Sequence, residues 1–253
     1  MTPLILGAII QKYMKKKIIC WIRKQLEDSR TKGIVLGLSG GIDSAVVAAL
    51  TKEAIGKKKI LALVLPIHSQ NQDLKDAKLL AKTLGIKAIT IDLSKIYHNL
   101  IKILPKSSAL ARANLKPRLR MITLYYFANK LKFLVCGTGN KSEIMAGYFT
   151  KYGDGAADIL PLGDLLKSQV RNLARQLNIP EHIIQKAPTA GLWPGQTDEG
   201  EMGITYSELD SILARIENKS RQILSPEKID KVKELIKRSK HKREGPKIFY
   251  LHK

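Results

Sequence analysis

Cysteine and long apolar runs are scarce in this 253-residue sequence. Cys20 and Cys136 are its two cysteines, and their wide separation predicts neither a disulfide framework nor a metal cage. No apolar run approaches the roughly 18 residues that a membrane span requires. The apolar start has no basic segment before it and no cleavage site, so we do not expect a signal peptide. We therefore expect a cytoplasmic protein that does not enter a membrane.

Acidic residues are also scarce, because 22 Asp and Glu stand against 44 Lys and Arg, which gives a formal net charge of +22. Such a chain attracts polyanions, and nucleic acid, acidic membrane surfaces and small phosphorylated molecules are all candidates. The alternative is that much of the lysine is solvated surface that favours solubility. Charge alone does not decide between these interpretations.

Short apolar runs alternate with helical patterns along the chain, which predicts an α/β fold. We expect a doubly wound, mostly parallel sheet with helices on both faces. The predicted strands are residues 33–38, 59–65, 88–93 and 133–136. The predicted helices are residues 9–30, 44–55, 74–84, 97–104, 117–130, 165–177, 180–186, 206–217 and 226–239. Ligands of such sheets bind beyond the carboxyl ends of the strands.

The whole chain, 1–253, is predicted to be a single domain with three parts. The core spans about 33–190, a lid loop spans about 187–202, and a helical tail spans about 205–253. The lid loop is rich in glycine and proline and poor in apolar residues, which is typical of a functional segment.

The clearest motif is Ser-Gly-Gly-Ile-Asp-Ser at residues 39–44, between a predicted strand and a predicted helix. Paired glycines allow close backbone approach and positive φ, and free N–H groups at a helix start bind phosphate oxygens. Asp43 is an unusual neighbour for phosphate unless Mg²⁺ lies between them. The alternative is a simple helix cap after a glycine turn. The motif lacks the Gly-Lys-[Ser/Thr] of a Walker A loop.

This loop resembles the pyrophosphate loop of enzymes that split ATP into AMP and pyrophosphate. Four further segments are similar to the ammonia-dependent NAD synthetase family within that group. They are GTGNKSE at 137–143, GYFTKYGDGAAD at 147–158, KAPTA at 186–190 with Asp198 and Glu199 downstream, and HKR at 241–243 followed by Pro246. The resemblance implies an adenine nucleotide alpha hydrolase-like, Rossmann-like fold.

The resemblance also implies roles for single residues. ATP would be bound by Gly37, Leu38, Ser39, Gly40, Gly41, Ile42, Asp43, Ser44, Thr138, Lys167 and Thr189. Asp43 and Glu143 would hold Mg²⁺, and Asp43, Lys167 and Asp154 would be the catalytic set, with Asp154 near a metal or the entering ammonia. Deamido-NAD would be bound by Arg118, Lys151, Asp158, His241 and Lys242.

Composition offers plainer alternatives for several of these residues. Glu143 would be a helix-start acid, Lys151 and Lys167 surface lysines, and His241 a solvated member of a basic run. The chain also departs from the family at three positions. Ala113 and Ala156 stand where glycine is usual, and Pro117 stands where a small helix former is usual, which affects Arg118 most.

The activity that the resemblance implies is adenylation of deamido-NAD by Mg-ATP, followed by amidation with ammonia to give NAD and AMP. The implied assembly is a homodimer, with no nucleic-acid or membrane partner. One alternative is a tRNA-modifying ATP pyrophosphatase that adenylates an RNA base. Another is a non-catalytic nucleic-acid-binding protein, whose binding would depend steeply on salt.

Overall fold

A four-stranded parallel sheet forms the centre of the computed structural model, which describes residues 3–193, 195–217 and 225–251. The strands are β1 Gly33–Gly37, β2 Ile60–Val64, β3 Lys87–Thr90 and β4 Phe133–Cys136. Their order across the sheet is β3-β2-β1-β4, and Val35 of β1 pairs with Leu61 of β2 and Val135 of β4. Each strand lies in or within one residue of a segment predicted from its apolar run.

Twelve helices surround the sheet within the described part of the chain. They are α1 Pro3–Ser29, α2 Ile42–Ile55, α3 Asn71–Leu84, α4 Ser94–Ile103, α5 Ala109–Ala113, α6 Leu115–Leu131, α7 Lys141–Ala146, α8 Lys167–Gln176, α9 Glu181–Ile184, α10 Asp198–Met202, α11 Tyr206–Ile216 and α12 Pro226–Arg243. Helix α2 begins two residues earlier than predicted, so Asp43 lies in its first turn. Helix α1 begins at Pro3 rather than at residue 9.

Three short helices, α5, α7 and α10, were not predicted. Each begins where a side chain caps it: Ser108, Asn140 and Thr197 accept hydrogen bonds from backbone N–H groups in the first turn. Helix α10 occupies the end of the predicted lid loop, so the prediction of a loop throughout 187–202 is wrong there. Five or six residues are too few for helical periodicity to show.

Alternate residues of the strands point to opposite faces, and helices cover both faces. Ile34 and Leu36 of β1 pack with α1, α2, α3, α8 and α9 on one face. Val35 packs on the other face with α6 and with Leu93 and Tyr97 at α4. The predicted doubly wound α/β class is confirmed by this arrangement, which places both faces of the sheet in a core.

A third apolar cluster joins α7, α10, α11 and α12 beside the sheet. Tyr206, Leu209 and Val232 are buried in it, and the Ser239 hydroxyl of α12 donates to the Met145 carbonyl of α7. Helix α12 is thereby held against α7, the helix that follows β4. The predicted lid, tail and 1–253 span include residues 1–2, 194, 218–224 and 252–253, which lie outside the described residues, and the domain division stays a prediction.

No helix in the described ranges is long and apolar enough to cross a membrane.

Candidate active site

The carboxyl ends of β1 and β4 mark the point where the sheet changes its winding direction. From β1 the chain continues to β2 on one side, whereas β4 pairs with the other side of β1. Loops that leave neighbouring strands in opposite directions open a crevice, and ligands of doubly wound sheets bind there. The glycine loop at 38–41 and the loop at 137–140 follow these two strand ends.

The glycine loop is already shaped by its own hydrogen bonds. The Ser39 and Ser44 hydroxyl oxygens are 3.1 Å apart, and the Gly41 N–H donates to Ser39 Oγ at 3.2 Å. Gly40 has φ +83°, and a Cβ atom there would lie 2.4 Å from the Asp73 carbonyl oxygen of α3. Gly41 has φ −92°, so the positive φ expected of the paired glycines occurs at Gly40 alone.

The other predicted loop residues contribute in different ways. Leu38 and Ile42 have buried side chains, so only their backbone is available to a ligand. The Leu38 N–H already donates to the Leu63 carbonyl at 2.9 Å. Gly37 is the last residue of β1, and Thr138 is half-buried after β4. Thr189 is exposed on the lid, where its hydroxyl accepts from the Gly191 N–H.

Asp43, Glu143 and Lys167 meet at the crevice and form its charged centre. The Lys167 ammonium donates to Asp43 Oδ2 at 2.6 Å and to Glu143 Oε1 at 3.0 Å. Asn140 joins the two loops, because its amide donates to Asp43 Oδ1 at 2.9 Å. Lys167 is 1% exposed. The alternative that Lys167 is one more surface lysine is therefore wrong.

Glu143 performs two tasks through its two carboxylate oxygens. Oε2 accepts from the Asn140 N–H at 3.2 Å, while Asn140 Oδ1 accepts from the Glu143 N–H, which closes the capping box of α7. Oε1 accepts from Lys167. The helix-start role is therefore present together with the ion pair.

Burial governs the protonation of this centre. Burial raises the pKa of Glu143 to about 7, and the neighbouring Asp43 carboxylate adds to the rise against the opposing pull of Lys167. Burial alone would lower the pKa of the Lys167 ammonium, but its two carboxylate partners outweigh burial and raise it. Lys167 therefore stays charged, and burial favours the protonated form of Glu143.

Tyr206 and Asp198 add a third carboxylate to the charged centre. The Tyr206 hydroxyl donates to Asp198 Oδ2 at 2.9 Å and lies 3.4 Å from Glu143 Oε1. The Tyr206 ring centroid is 5.0 Å from Lys167 Nζ. Asp198 is 4% exposed, and its Oδ1 has no hydrogen-bond partner within the described residues.

Asp210 fixes the helices that carry the centre. Its carboxylate accepts from the Ser142 hydroxyl of α7 and, at 2.8 Å, from the Ser168 N–H of α8. The Ser142 hydroxyl oxygen in turn accepts from the Lys167 N–H at 2.9 Å. We gave Asn140, Tyr206 and Asp210 no role from sequence. A cap position at Asn140 is the local signal for that residue, whereas the contacts of Tyr206 and Asp210 with α7 and α8 cross 42 to 68 residues.

The donor set of the centre fits a hard divalent cation. Three carboxylates face one ammonium, and one buried carboxylate oxygen is unpartnered. No three His, Cys, Asp or Glu side chains in the described part of the chain lie close enough to hold a metal by themselves. Mg²⁺ is commonly bound by one or two carboxylates together with substrate phosphates and water, so Asp43 and Glu143 suit it.

A second cluster brings together basic residues predicted to bind a dinucleotide. Arg118 of α6 donates to the Lys151 carbonyl at 3.3 Å. The Lys151 ammonium donates to the carbonyls of His241 and Glu244, and Lys242 donates to the Gly147 carbonyl at 2.7 Å. Pro117 lies inside the first turn of α6, so its departure from the family pattern leaves Arg118 helical.

The two acidic residues of the 147–158 segment lie apart from the charged centre. Asp154 Oδ1 accepts from the Thr150 N–H at 2.9 Å within a turn. Asp158 accepts from the Val135 N–H at 2.7 Å and from the Tyr125 hydroxyl at 3.1 Å, which secures β4. The structure gives neither residue a contact with Asp43, Glu143 or Lys167, so it does not bring Asp154 to the predicted metal.

Comparison with known proteins agrees with this geometry. The family model for NAD synthase matches residues 14–246. The NH3-dependent NAD(+) synthetase of Archaeoglobus fulgidus is 48% identical over 92% of this chain and 94% of its own length. The corresponding protein of Mycoplasma genitalium is also 48% identical, over 94% of this chain and 95% of its own length.

Two solved structures share the fold over nearly their whole length. The NMN synthetase of Francisella tularensis superposes with a TM-score of 0.86 at 40% identity, covering 94% of this chain and 98% of that one. The NH3-dependent NAD synthetase of Campylobacter jejuni gives a TM-score of 0.82 at 32% identity, covering 95% of this chain and 99% of that one. On sequence and fold together, the chain belongs to the NAD synthase family.

Proposed function

We propose that this protein is an ammonia-dependent NAD synthetase, which adenylates deamido-NAD with Mg-ATP and amidates the product to NAD. The observation that carries the proposal is the meeting of Asp43, Glu143 and Lys167 beside the glycine loop at the switch point of the sheet. The relatives described above favour this activity over RNA modification and over a non-catalytic role.

The glycine loop and the charged centre suit the first half-reaction. Backbone N–H groups at the start of α2, with the Ser39 and Ser44 hydroxyls, would bind the ATP phosphates. Asp43 and Glu143 would hold Mg²⁺, which neutralises phosphate charge when it is bound. A nicotinate carboxylate oxygen of deamido-NAD attacks the α-phosphorus, and the bond to the β-phosphate oxygen breaks. The Lys167 ammonium would stabilise the charge on the leaving pyrophosphate.

The basic cluster suits the second substrate. Arg118, Lys151 and Lys242 direct their hydrogen bonds to backbone carbonyls, which an anionic ligand can replace, and Asp154 is the carboxylate that acts electrostatically on Lys242. Arg118 also borders a pocket with Tyr125, Tyr126 and Tyr152, whose rings suit a nucleotide base. We propose His241 and Asp158 as further contacts there.

Ammonia completes the reaction by attacking the acyl carbon of the adenylate. The carbon–nitrogen bond forms as the bond to the AMP oxygen breaks, and one ammonia proton is lost to give the neutral amide. We keep Asp154 as a candidate for a residue near the entering ammonia. Thr138 and Thr189 are proposed to contact ATP from the β4 loop and the lid. We further propose a homodimer that works in the cytoplasm without a nucleic-acid partner.

A product assay tests the proposed function. Purified protein is given Mg-ATP and deamido-NAD with either ammonium or glutamine, and NAD, AMP and ADP are resolved. NAD and AMP in equal amounts from ammonium alone are expected. A parallel reaction contains nicotinic acid mononucleotide, because one structural neighbour is an NMN synthetase. Amidation of the mononucleotide in preference would change the proposed substrate, and absence of both amides would refute the activity.

A further inference from the structure

Tyr206 connects the lid helix α10 to the charged centre. It is 1% exposed at the first position of α11, and its backbone N–H donates to Glu199 of α10 at 2.8 Å. Its hydroxyl has one proton, which goes to the nearer carboxylate, Asp198. Its ring faces Lys167. A single side chain therefore contacts both the lid and the cation of the centre.

Asp198 presents a carboxylate oxygen that the rest of the described chain leaves unpartnered. Oδ2 accepts from Tyr206, whereas Oδ1 is buried without a hydrogen bond. Leaving a buried charged acceptor unpaired is costly, so such an atom indicates a place for a cation or donor. Lys167 is the cation that acts electrostatically on this carboxylate.

The contacts of Lys167 conflict with the metal site of the proposed function, on which this inference rests. Lys167 now donates to Asp43 Oδ2 and Glu143 Oε1, and the same two carboxylates would bind Mg²⁺. A cation bound between them weakens both contacts to the ammonium by like-charge repulsion. Lys167 then needs other partners to stay directed at the phosphates. The ring of Tyr206 and the free oxygen of Asp198 are available for this.

We propose that Tyr206 and Asp198 are positioning residues that hold the Lys167 ammonium in place while Asp43 and Glu143 bind the metal. The aromatic face attracts the ammonium, and the Tyr206 hydroxyl orients the Asp198 carboxylate. Because Asp198 belongs to α10, the support of Lys167 depends on the position of that helix.

The variant Tyr206→Phe keeps the ring and removes the hydroxyl. We expect kcat to fall about tenfold, as for the loss of one hydrogen bond to a charged group, with KM for deamido-NAD within about twofold. Lys231→Met is the matched control, because the Lys231 ammonium donates to the Gly203 carbonyl at the end of the same lid helix at 2.7 Å, and no hydrogen bond among the described residues joins Lys231 to Asp198, Glu143 or Lys167. The control variant should keep kcat within about twofold of the value for the unaltered protein.

A binding measurement separates positioning from general damage to the fold. Mn²⁺ affinity is measured by electron paramagnetic resonance with ATP present and no dinucleotide. Because a poorly held ammonium competes for Asp43 and Glu143, Tyr206→Phe should weaken Mn²⁺ binding severalfold, and Lys231→Met should not. Asp198→Asn keeps an acceptor for Tyr206 but loses the charge, so it should behave like Tyr206→Phe. If Tyr206→Phe fails to fold, Asp198→Asn tests the positioning role instead.

Unchanged kcat and Mn²⁺ affinity in the Tyr206 and Asp198 variants would overturn the inference. Equal losses in Lys231→Met would also overturn it, because the effect would then be a loosened lid. If the unaltered protein makes no NAD, the proposed function fails, whereas the Mn²⁺ comparison still tests the positioning role.

Discussion

Replacing Glu143 with glutamine should stabilise the metal-free protein at alkaline pH. The pKa of Glu143 rises from an ordinary value of 4.5 to about 7 on folding. The raised pKa stabilises the folded protein, and this stabilisation is fully present below pH 4.5 and is lost as the pH rises through about 7. At about 1.36 kcal/mol per pKa unit, this rise means that ionised Glu143 costs the folded state about 3 kcal/mol.

Glutamine avoids that cost but forms fewer hydrogen bonds. Its single oxygen serves either the Asn140 N–H or Lys167, not both, so about 1 kcal/mol is lost. The variant should therefore be about 2 kcal/mol more stable than the parent at pH 8 and about 1 kcal/mol less stable at pH 4.5. Urea unfolding with a chelator present measures both values.

Glu208→Gln is the matched control, because Glu208 closes the capping box of α11 as Glu143 closes that of α7. The pKa of Glu208 lies at about 2, chiefly because its carboxylate accepts from Lys228. Its contribution to stability is present above its unfolded pKa, so glutamine there should destabilise the protein at pH 8. If Glu143→Gln is less stable than the parent at pH 8, burial of an ionised Glu143 is the wrong description.

Three further variants test the site and its loop. Asp43→Asn should abolish NAD formation in the product assay with an unchanged circular dichroism spectrum, and near-normal turnover would contradict its metal role. Lys167→Ala should lower kcat more than it raises KM for deamido-NAD, and a pure KM effect would assign it to dinucleotide binding. Gly40→Ala should lower the free energy of unfolding by about 2 kcal/mol or more, since it combines a positive φ with a clash at the Asp73 carbonyl. Gly85→Ala, where φ is +62° and the atoms nearest to an added Cβ lie 3.8 Å away, should lose only the stability that a positive φ costs, and equal losses in urea unfolding would contradict the clash.

The sheet and the position of the crevice were predictable because they depend on local patterns. Residues 34–36 and 133–136 are short apolar runs, each followed by glycine, and parallel strands end at the same edge. The ends of the long helices were less certain, as α1 shows. The short helices escaped detection because a single capping residue such as Asn140 specifies them.

The charged centre was predictable only in part. Asp43 and Glu143 stand next to recognisable loops, whereas nothing local distinguishes Lys167 from the many exposed lysines. The burial of Lys167 depends on α8 packing against α2 and on Tyr206 of α11. Tyr206 also lies beside Glu143, from which it is separated by 63 residues in the sequence. Contacts between distant segments leave no periodicity in the sequence, so they were visible only in the folded chain.

The order of the segments has a consequence for synthesis on the ribosome. The fourth strand is complete at Cys136. Lys167, the partner of Asp43, lies 124 residues after Asp43 and is therefore synthesised after that strand, and Tyr206 is synthesised later still. At about 5–20 residues per second, the nascent sheet exists for several seconds before the carboxylates of the crevice gain their ammonium. During that interval Asp43 and Glu143 repel each other unless Glu143 takes up a proton or a cellular cation binds between them. A proton on Glu143 or a cation from the surroundings would therefore balance the charge of this crevice before the chain supplies its own ammonium.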